Sequence, residues 1–149
     1  MFQSFRYLKR HFILLLFTAV SFSLSAQDPD KVDIQIEQVN GPIHMLTGKG
    51  GNIGLLIGDE GVFMIDAQYA PLSAKILQAI GKLSLLPIKY LVNTHWHGDH
   101  TGGNENIYKE GAIIVAQENV RKRKSTEQLM KAFSRTVPAA PKESWPTIT

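Results

Sequence analysis

One twelve-residue stretch carries most of the information about the fold: Asn93-Thr94-His95-Trp96-His97-Gly98-Asp99-His100-Thr101-Gly102-Gly103-Asn104. Three histidines and one aspartate fall within six residues of it. His95 and His97 are two apart, so on an extended segment both imidazoles point to the same side. Neutral imidazole and carboxylate oxygen are both zinc ligands, and the sequence therefore predicts a metal site.

Asp99 and His100 follow where we expect the chain to turn into a helix, and they can face the other side of the same cavity. Gly98 is predicted to permit a tight turn, and Gly102 and Gly103 to permit close packing of the helix start. An exposed histidine-rich loop without metal is the alternative. Grouping several titratable side chains away from water is costly unless something such as a metal compensates, which favours the metal site.

The pattern His95-x-His97-x-Asp99-His100, after a hydrophobic strand and before Thr101-Gly102-Gly103-Asn104, resembles the metal-binding signature of the metallo-β-lactamase superfamily. The resemblance runs from about residue 34 to the end. It implies an α/β fold of the αββα sandwich type.

The resemblance also implies roles for the motif residues. His95 and His97 would bind a first zinc with a later histidine. Asp99 and His100 would bind a second zinc with a later acid and a final histidine. No histidine follows His100 in this sequence. We therefore expect residues 27–149 to be an amino-terminal part of such a domain, truncated after its first half to two-thirds and inactive by itself.

Two further positions match the family upstream of the motif. Asp66 matches an acidic residue that supports the metal loop by hydrogen bonding, although a cap before Ala67 is an alternative. The glycine-rich loop Lys49–Asn52 matches a mobile flap beside the active site. His44, isolated on a strand, is assigned no role.

For the complete enzyme the resemblance implies hydrolysis of a small-molecule substrate by attack of a metal-bound hydroxide. Asp99 would orient the hydroxide, bind the second metal and pass a proton to the leaving group. β-Lactams are the leading substrates, followed by lactones, thioesters and phosphodiesters. The alternatives are an iron-dependent oxidoreductase on the same fold acting on sulfur compounds, and a non-catalytic remnant.

Residues 1–26 are typical of a secretory signal peptide. Three basic residues precede the apolar run 12–20, and small residues end the segment, so cleavage after Ser25 or Ala26 is predicted. The apolar run is shorter than the roughly 20 residues of a membrane-spanning helix, which disfavours an uncleaved anchor. We expect a secreted or periplasmic protein without a stable membrane anchor.

The net charge of +3 comes from the predicted signal peptide, because its removal leaves thirteen basic and thirteen acidic residues. The basic run 121–124 is interpreted as the solvated face of a helix, so no nucleic-acid partner is expected. The absence of cysteine excludes disulfides, thiolate metal ligands and a cysteine nucleophile.

Hydrophobic periodicity predicts mostly antiparallel strands followed by alternating helices and strands. The two apolar arms of the hairpin 53–66 are nearly continuous, so we expect them to be buried on both faces. The predicted strands are 34–39, 43–46, 53–57, 62–66, 88–92 and 112–116, with a further strand beginning at 145–149. The predicted helices are 72–83, 101–109 and 118–133.

Overall fold

The computed structural model describes residues 28–149, and the predicted signal peptide lies outside them. A six-stranded sheet forms the centre of the fold. Its strands are β1 (Gln35–Asn40), β2 (Ile43–Thr47), β3 (Ile53–Gly58), β4 (Gly61–Ile65), β5 (Ile88–Asn93) and β6 (Ile113–Ala116). They lie in sequence order; β1 to β4 pair antiparallel, and β5 and β6 continue the sheet in parallel. The predicted order of strands is confirmed.

One face of this sheet forms the hydrophobic core. Side chains alternate between faces of a strand, and every second apolar residue of β3 and β4 is buried. Helix α1 (Ser73–Gly81) and helix α3 (Asn104–Lys109) cover that face. The fully buried contacts come from Leu46, Ile53, Val62, Met64, Ile76, Leu91, Ile107 and Ile114.

The prediction that the hairpin arms are buried on both faces is wrong. Leu56 and Phe63 oppose each other across β3 and β4 and remain 45% and 38% exposed. Cross-strand pairing continues this row outwards in both directions. We call the row the open face; it consists of Ile43, Leu56, Phe63, Tyr90 and Ile113. Nothing in the described part of the chain covers it.

The first predicted helix, 72–83, is observed with shorter limits. Pro71 lies in a 3-10 turn, Ala70–Leu72, and α1 then runs to Gly81. Proline is favoured here because a helix start leaves its N–H unpaired in any case.

The predicted helix 101–109 begins three residues later than expected, and Thr101 belongs to a separate, earlier turn. A single turn, α2 (Gly98–Thr101), is followed by α3. The break falls at Gly102 and Gly103, where a Cβ would lie 2.8 Å from the Gln68 carbonyl oxygen and 2.4 Å from that of Ala67, respectively. Close backbone approach therefore requires these two glycines, as predicted. Gly98 is different, since a Cβ there would meet nothing within 4 Å.

The predicted long helix 118–133 is wrong beyond residue 124. Helix α4 (Glu118–Lys124) ends where the hydroxyls of Ser125 and Thr126 donate to the Lys122 carbonyl. Such side-chain hydrogen bonds compete with the backbone hydrogen bonds that would continue the helix. The chain then forms a small antiparallel hairpin from β7 (Gln128–Met130) and β8 (Arg135–Val137).

At the carboxyl end, residues 145–149 reach the free edge of β6. Ile148 forms an isolated parallel bridge with Val115, and the Ala116 N–H donates to the Ile148 carbonyl at 3.1 Å. The predicted strand is thus present only as this single bridge.

At the amino end, a lysine of α1 holds the first described turn, Pro29–Lys31. The Lys75 Nζ donates to the carbonyl oxygens of Pro29, Asp30 and Val32 at 3.1, 2.9 and 2.8 Å. These bonds use all three donors of the ammonium group. Within residues 28–149, no helix has the length and apolar character needed to cross a membrane.

Candidate metal centre

The motif lies at the carboxyl ends of two neighbouring parallel strands. Asp66 directly follows β4 and Thr94 directly follows β5, so the parallel pairing brings them together. In α/β sheets this is the edge at which ligands bind. The topology alone therefore places the histidine loop against Asp66.

Asp66 is buried and connects the two ends of the motif. Its Oδ1 accepts from the Thr94 N–H at 2.9 Å, and its Oδ2 accepts from the Thr94 hydroxyl and from His100 Nδ1, both at 2.7 Å. Because an ionised carboxylate only accepts hydrogen bonds, His100 Nδ1–H is the donor to Asp66, and Nε2 points away from Asp66. The Asp66 backbone has a positive φ of 62°, an unusual conformation for a residue other than glycine.

Three of the predicted ligands converge. One donor atom from each of His95, Asp99 and His100 lies within 4.8 Å of the others. His97 lies beside this group rather than in it, with its ring edge-on to that of His95 at 4.8 Å between centroids. His100 Nε2 lies 3.4 Å from Asp99 Oδ2.

The electrostatics of the cluster favour neutral imidazole at His95. Burial lowers the pKa of His95, and the neighbouring His100 and His97 lower it further, while Asp66 and Asp99 act in the opposite direction. A neutral ring is the form that binds a metal ion.

The loop predicted as a flap, Lys49–Asn52, packs directly against the cluster. The Gly51 N–H donates to the Asp99 carbonyl at 3.3 Å. A Cβ on Gly51 would lie 2.2 Å from the His100 ring, and one on Gly50 would lie 3.2 Å from the Asp99 Cβ. Glycine is therefore the residue that lets this loop approach the site.

Two asparagines, one at each end of the motif, form hydrogen bonds with each other, a feature that the sequence analysis missed. Asn104 Nδ2 donates to Asn93 Oδ1 at 2.7 Å, and Asn93 Nδ2 donates back to Asn104 Oδ1 at 3.1 Å. Asn104 also donates to the Ser144 carbonyl at 3.0 Å. The sequence does show an asparagine at each end of the motif. Asn93 ends the strand before it, and Asn104 begins the helix after it.

A second missed residue is Lys124, which is 9% exposed although it belongs to a run of four basic residues. Its Nζ donates to the hydroxyl and the carbonyl of Thr101, at 3.2 and 3.4 Å. Thr101 in turn donates to the Trp96 and His97 carbonyls. Burial lowers the pKa of Lys124 to about 8.

Two adjoining cavities lie beside the motif. The larger, about 390 Å³, is lined by Tyr69, His97, Gly98, Asp99, Met130, Phe133 and Arg135. The smaller, about 120 Å³, shares four of these residues and extends to Trp96, Arg123 and Lys124. The hairpin β7–β8 thus forms one wall of a space that reaches the predicted metal ligands.

A mixed sheet with a histidine and aspartate cluster at the ends of its parallel strands defines an α/β protein with a candidate metal site. A family model described as the metallo-beta-lactamase superfamily matches residues 46–146. The chain therefore belongs to the metallo-β-lactamase superfamily.

Individual relatives agree with this assignment. The chain is 33% identical over 81 residues to a hydroxyacylglutathione hydrolase of Erythrobacter litoralis (strain HTCC2594), covering 54% of this chain and 32% of that protein. Its fold is similar to that of MEM-A1, a subclass B3 metallo-β-lactamase from a soil metagenome library, with a TM-score of 0.63 and 24% identity over 76% of this chain and 45% of that one. BJP-1, a subclass B3 enzyme of Bradyrhizobium japonicum, gives a TM-score of 0.60 and 23% identity, covering 78% of this chain and 43% of that one.

The chain thus spans about a third of the curated relative and less than half of the two solved structures. The α/β fold of metallo-β-lactamases is confirmed over this part.

Proposed function

We propose that the chain carries the amino-terminal part of the active site of a zinc-dependent hydrolase. The observation that supports this most is the convergence of donor atoms from His95, Asp99 and His100, with His100 held by buried Asp66. Two imidazoles and a carboxylate form a donor set suited to zinc. The residues present therefore fit a metal ion.

Following the superfamily pattern, we assign His95 and His97 to one ion and Asp99 and His100 to another, although His97 lies beside the converging group rather than in it. A bound ion would lower the pKa of a water ligand and polarise the scissile bond of the substrate. Each ion would receive two ligands from this chain, and catalytic zinc takes three protein ligands in most hydrolases. We therefore propose that further ligands come from outside these 149 residues, and that the chain alone is inactive.

The chain's own residues would position the reactants. Asp66 keeps the Nδ1 proton of His100 in place, so that Nε2 faces the site. Asp99 lines the larger cavity beside Tyr69 and is the candidate for accepting and passing on a proton. Phe133 and Met130 supply an apolar wall that suits a small organic substrate.

A β-lactam is the first substrate class that we propose, supported by the fold shared with subclass B3 enzymes. A thioester is the second, because the curated relative is a hydroxyacylglutathione hydrolase. An iron-dependent oxidoreductase is the remaining alternative, since histidine and carboxylate ligands suit iron as well.

The test is metal analysis of the full-length protein, together with hydrolysis of a chromogenic β-lactam and of a hydroxyacyl thioester. We expect bound zinc, cleavage of one of the two substrates, and loss of both properties in His100→Ala. His44→Ala is the matched control, because His44 lies outside the cluster on β2. Stoichiometric iron with oxygen consumption would contradict the hydrolase.

We also propose that residues 1–26 are a cleaved signal peptide and that the protein is secreted or periplasmic. The mass of the protein recovered from the periplasm would show the cleavage site. Retention of residues 1–26 in a membrane fraction would contradict the proposal.

A further inference from the structure

The smaller cavity beside the motif is unusually cationic. Arg123, Lys124 and Arg135 all line it, and among the described residues that surround it none is acidic. The rest of its wall is mainly apolar or small, with Trp96, Met130, Val137 and Pro138 among them. Arg123 and Arg135 are exposed and Lys124 is buried, and an anion between the three would reduce their mutual repulsion.

Lys124 is the key observation, because the residue is only 9% exposed and no carboxylate of residues 28–149 forms a salt bridge with it. An ammonium has three donors, and both of its hydrogen bonds within residues 28–149 go to one uncharged residue, Thr101. Burying a charge is costly unless it is paired. The cost is reduced when an anion occupies the cavity next to it.

The two arginines are placed to complete such a site. The Arg123 guanidinium carbon lies 5.3 Å from the centre of the Trp96 ring, which holds its planar group beside the cavity. Arg135 lines both cavities and so lies between the cationic space and the predicted metal ligands. Guanidinium groups bind carboxylates and phosphates through paired N–H donors.

Space is sufficient for an anionic group. The cavity holds about 120 Å³, whereas one water needs only about 10–15 Å³. It shares His97, Gly98, Met130 and Arg135 with the larger cavity, so a molecule lying beside Asp99 can extend into it.

We propose that the cavity lined by Arg123, Lys124 and Arg135 binds a carboxylate or phosphate group of the substrate. The claim that the bound anion is part of a substrate rests on the proposed function, whereas the anion site itself does not. The charged group would then lie beside His97, which lines both cavities.

The first experiment tests the cavity without metal or catalysis. Binding of inorganic phosphate and of acetate to the metal-free chain is measured by titration calorimetry. We expect saturable binding that Lys124→Met and Arg135→Gln each weaken about tenfold, as for the loss of one charge-assisted hydrogen bond. Lys122→Met is the matched control, because Lys122 is an exposed lysine of the same helix. Absence of saturable binding, or an equal effect of the control, would overturn the proposal.

The second experiment identifies the source of the anion. The full-length, metal-loaded protein is assayed with a carboxylated substrate and with its methyl ester. We expect Lys124→Met to raise KM about tenfold for the acid and to leave the ester unchanged. If both respond equally while phosphate still binds the metal-free chain, the cavity holds a free anion and the substrate assignment is wrong. If neither substrate is hydrolysed, the proposed function fails, and the calorimetric result alone decides the anion site.

Discussion

At the scale of single residues, Asp66 has the most consequential contacts. One carboxylate accepts from the backbone and hydroxyl of Thr94 and from His100, and so joins two parts of the motif. The sequence could predict its importance only through the family resemblance, because an acid after a strand is equally typical of a cap. Parallel pairing of β4 with β5, which gives Asp66 its partners, is a tertiary property.

Asp66→Asn is expected to weaken zinc binding by about 10–100-fold, since an amide provides one acceptor oxygen in place of two and no longer fixes the His100 proton. Competition with a chelating dye measures the affinity. Asp59→Asn, in the exposed turn between β3 and β4, is the control and should have no effect. Unchanged affinity in Asp66→Asn would mean that its hydrogen bonds serve the fold alone.

Lys124 gives a prediction with a defined pH dependence. Its folded pKa, about 8, is below the ordinary value of 10.5, so between these values the unfolded chain binds more protons. Stability contributed by this group therefore rises as the pH increases from 8 to 10.5, and the cost of the buried charge is fully present below pH 8.

Lys124→Met should consequently stabilise the chain by about 1–3 kcal/mol at pH 7, with the gain disappearing towards pH 10.5. Urea denaturation at the two pH values measures it. Lys122→Met should show no such trend, and a gain that is equal at both pH values would show that packing, rather than charge, is responsible.

Sequence reasoning placed Lys124 on a solvated face because three of its neighbours in the chain are also basic. Charge runs are usually exposed, and nothing local distinguishes the one member that faces inward. The same limit applies to Asn93 and Asn104, which are eleven residues apart in the chain. Their side chains come into contact only when the motif folds back.

At the scale of elements, strands were predicted better than helices. Alternation with period two is observed in β3, β4 and β6, where one face of the strand is buried, whereas every residue of β1 is exposed. Helix 118–133 was over-extended because residues 128–130 and 135–137 pair with each other, a preference that single-segment periodicity does not contain. The break between α2 and α3 depends on a backbone approach from residues 67–68, which is also non-local.

Gly103→Ala tests that approach. Its Cβ would lie 2.4 Å from the Ala67 carbonyl oxygen, a backbone atom that cannot move aside easily, and we expect a loss of about 1–3 kcal/mol. Gly98→Ala is the matched control within the same motif, because its Cβ meets open space, and a change within about 0.5 kcal/mol is expected. Equal thermal denaturation of the two variants would refute a packing role for Gly103.

At the scale of the whole molecule, the open face is the dominant feature. Its five large side chains belong to five adjacent strands, and Phe63 and Tyr90 lie 6.1 Å apart between ring centres. The apolar pattern of the hairpin 53–66 predicted burial of both its faces. Such a pattern does not show which part of a protein covers each face. Exposed apolar patches of this kind mark interaction surfaces or aggregation liabilities.

We therefore expect the 149-residue chain alone to bind a hydrophobic dye such as ANS. The double substitution Leu56→Gln and Phe63→Gln should lower the fluorescence severalfold. Leu85→Gln is the control, because Leu85 is 97% exposed in the loop between α1 and β5 and is not part of the open face. Dye binding that the control abolishes equally, or that never occurs, would contradict an uncovered face.

The three hydrogen bonds of Lys75 have a consequence for the proposed removal of residues 1–26. They hold the turn at Pro29–Lys31 against α1, and only Gln27 and Asp28 separate that turn from Ala26. A protease that cleaves at residue 25 or 26 needs an accessible, extended substrate, whereas the turn held by Lys75 begins only three residues after Ala26. If residues 1–26 are the proposed signal peptide, their removal and the closure of this turn onto α1 compete in time.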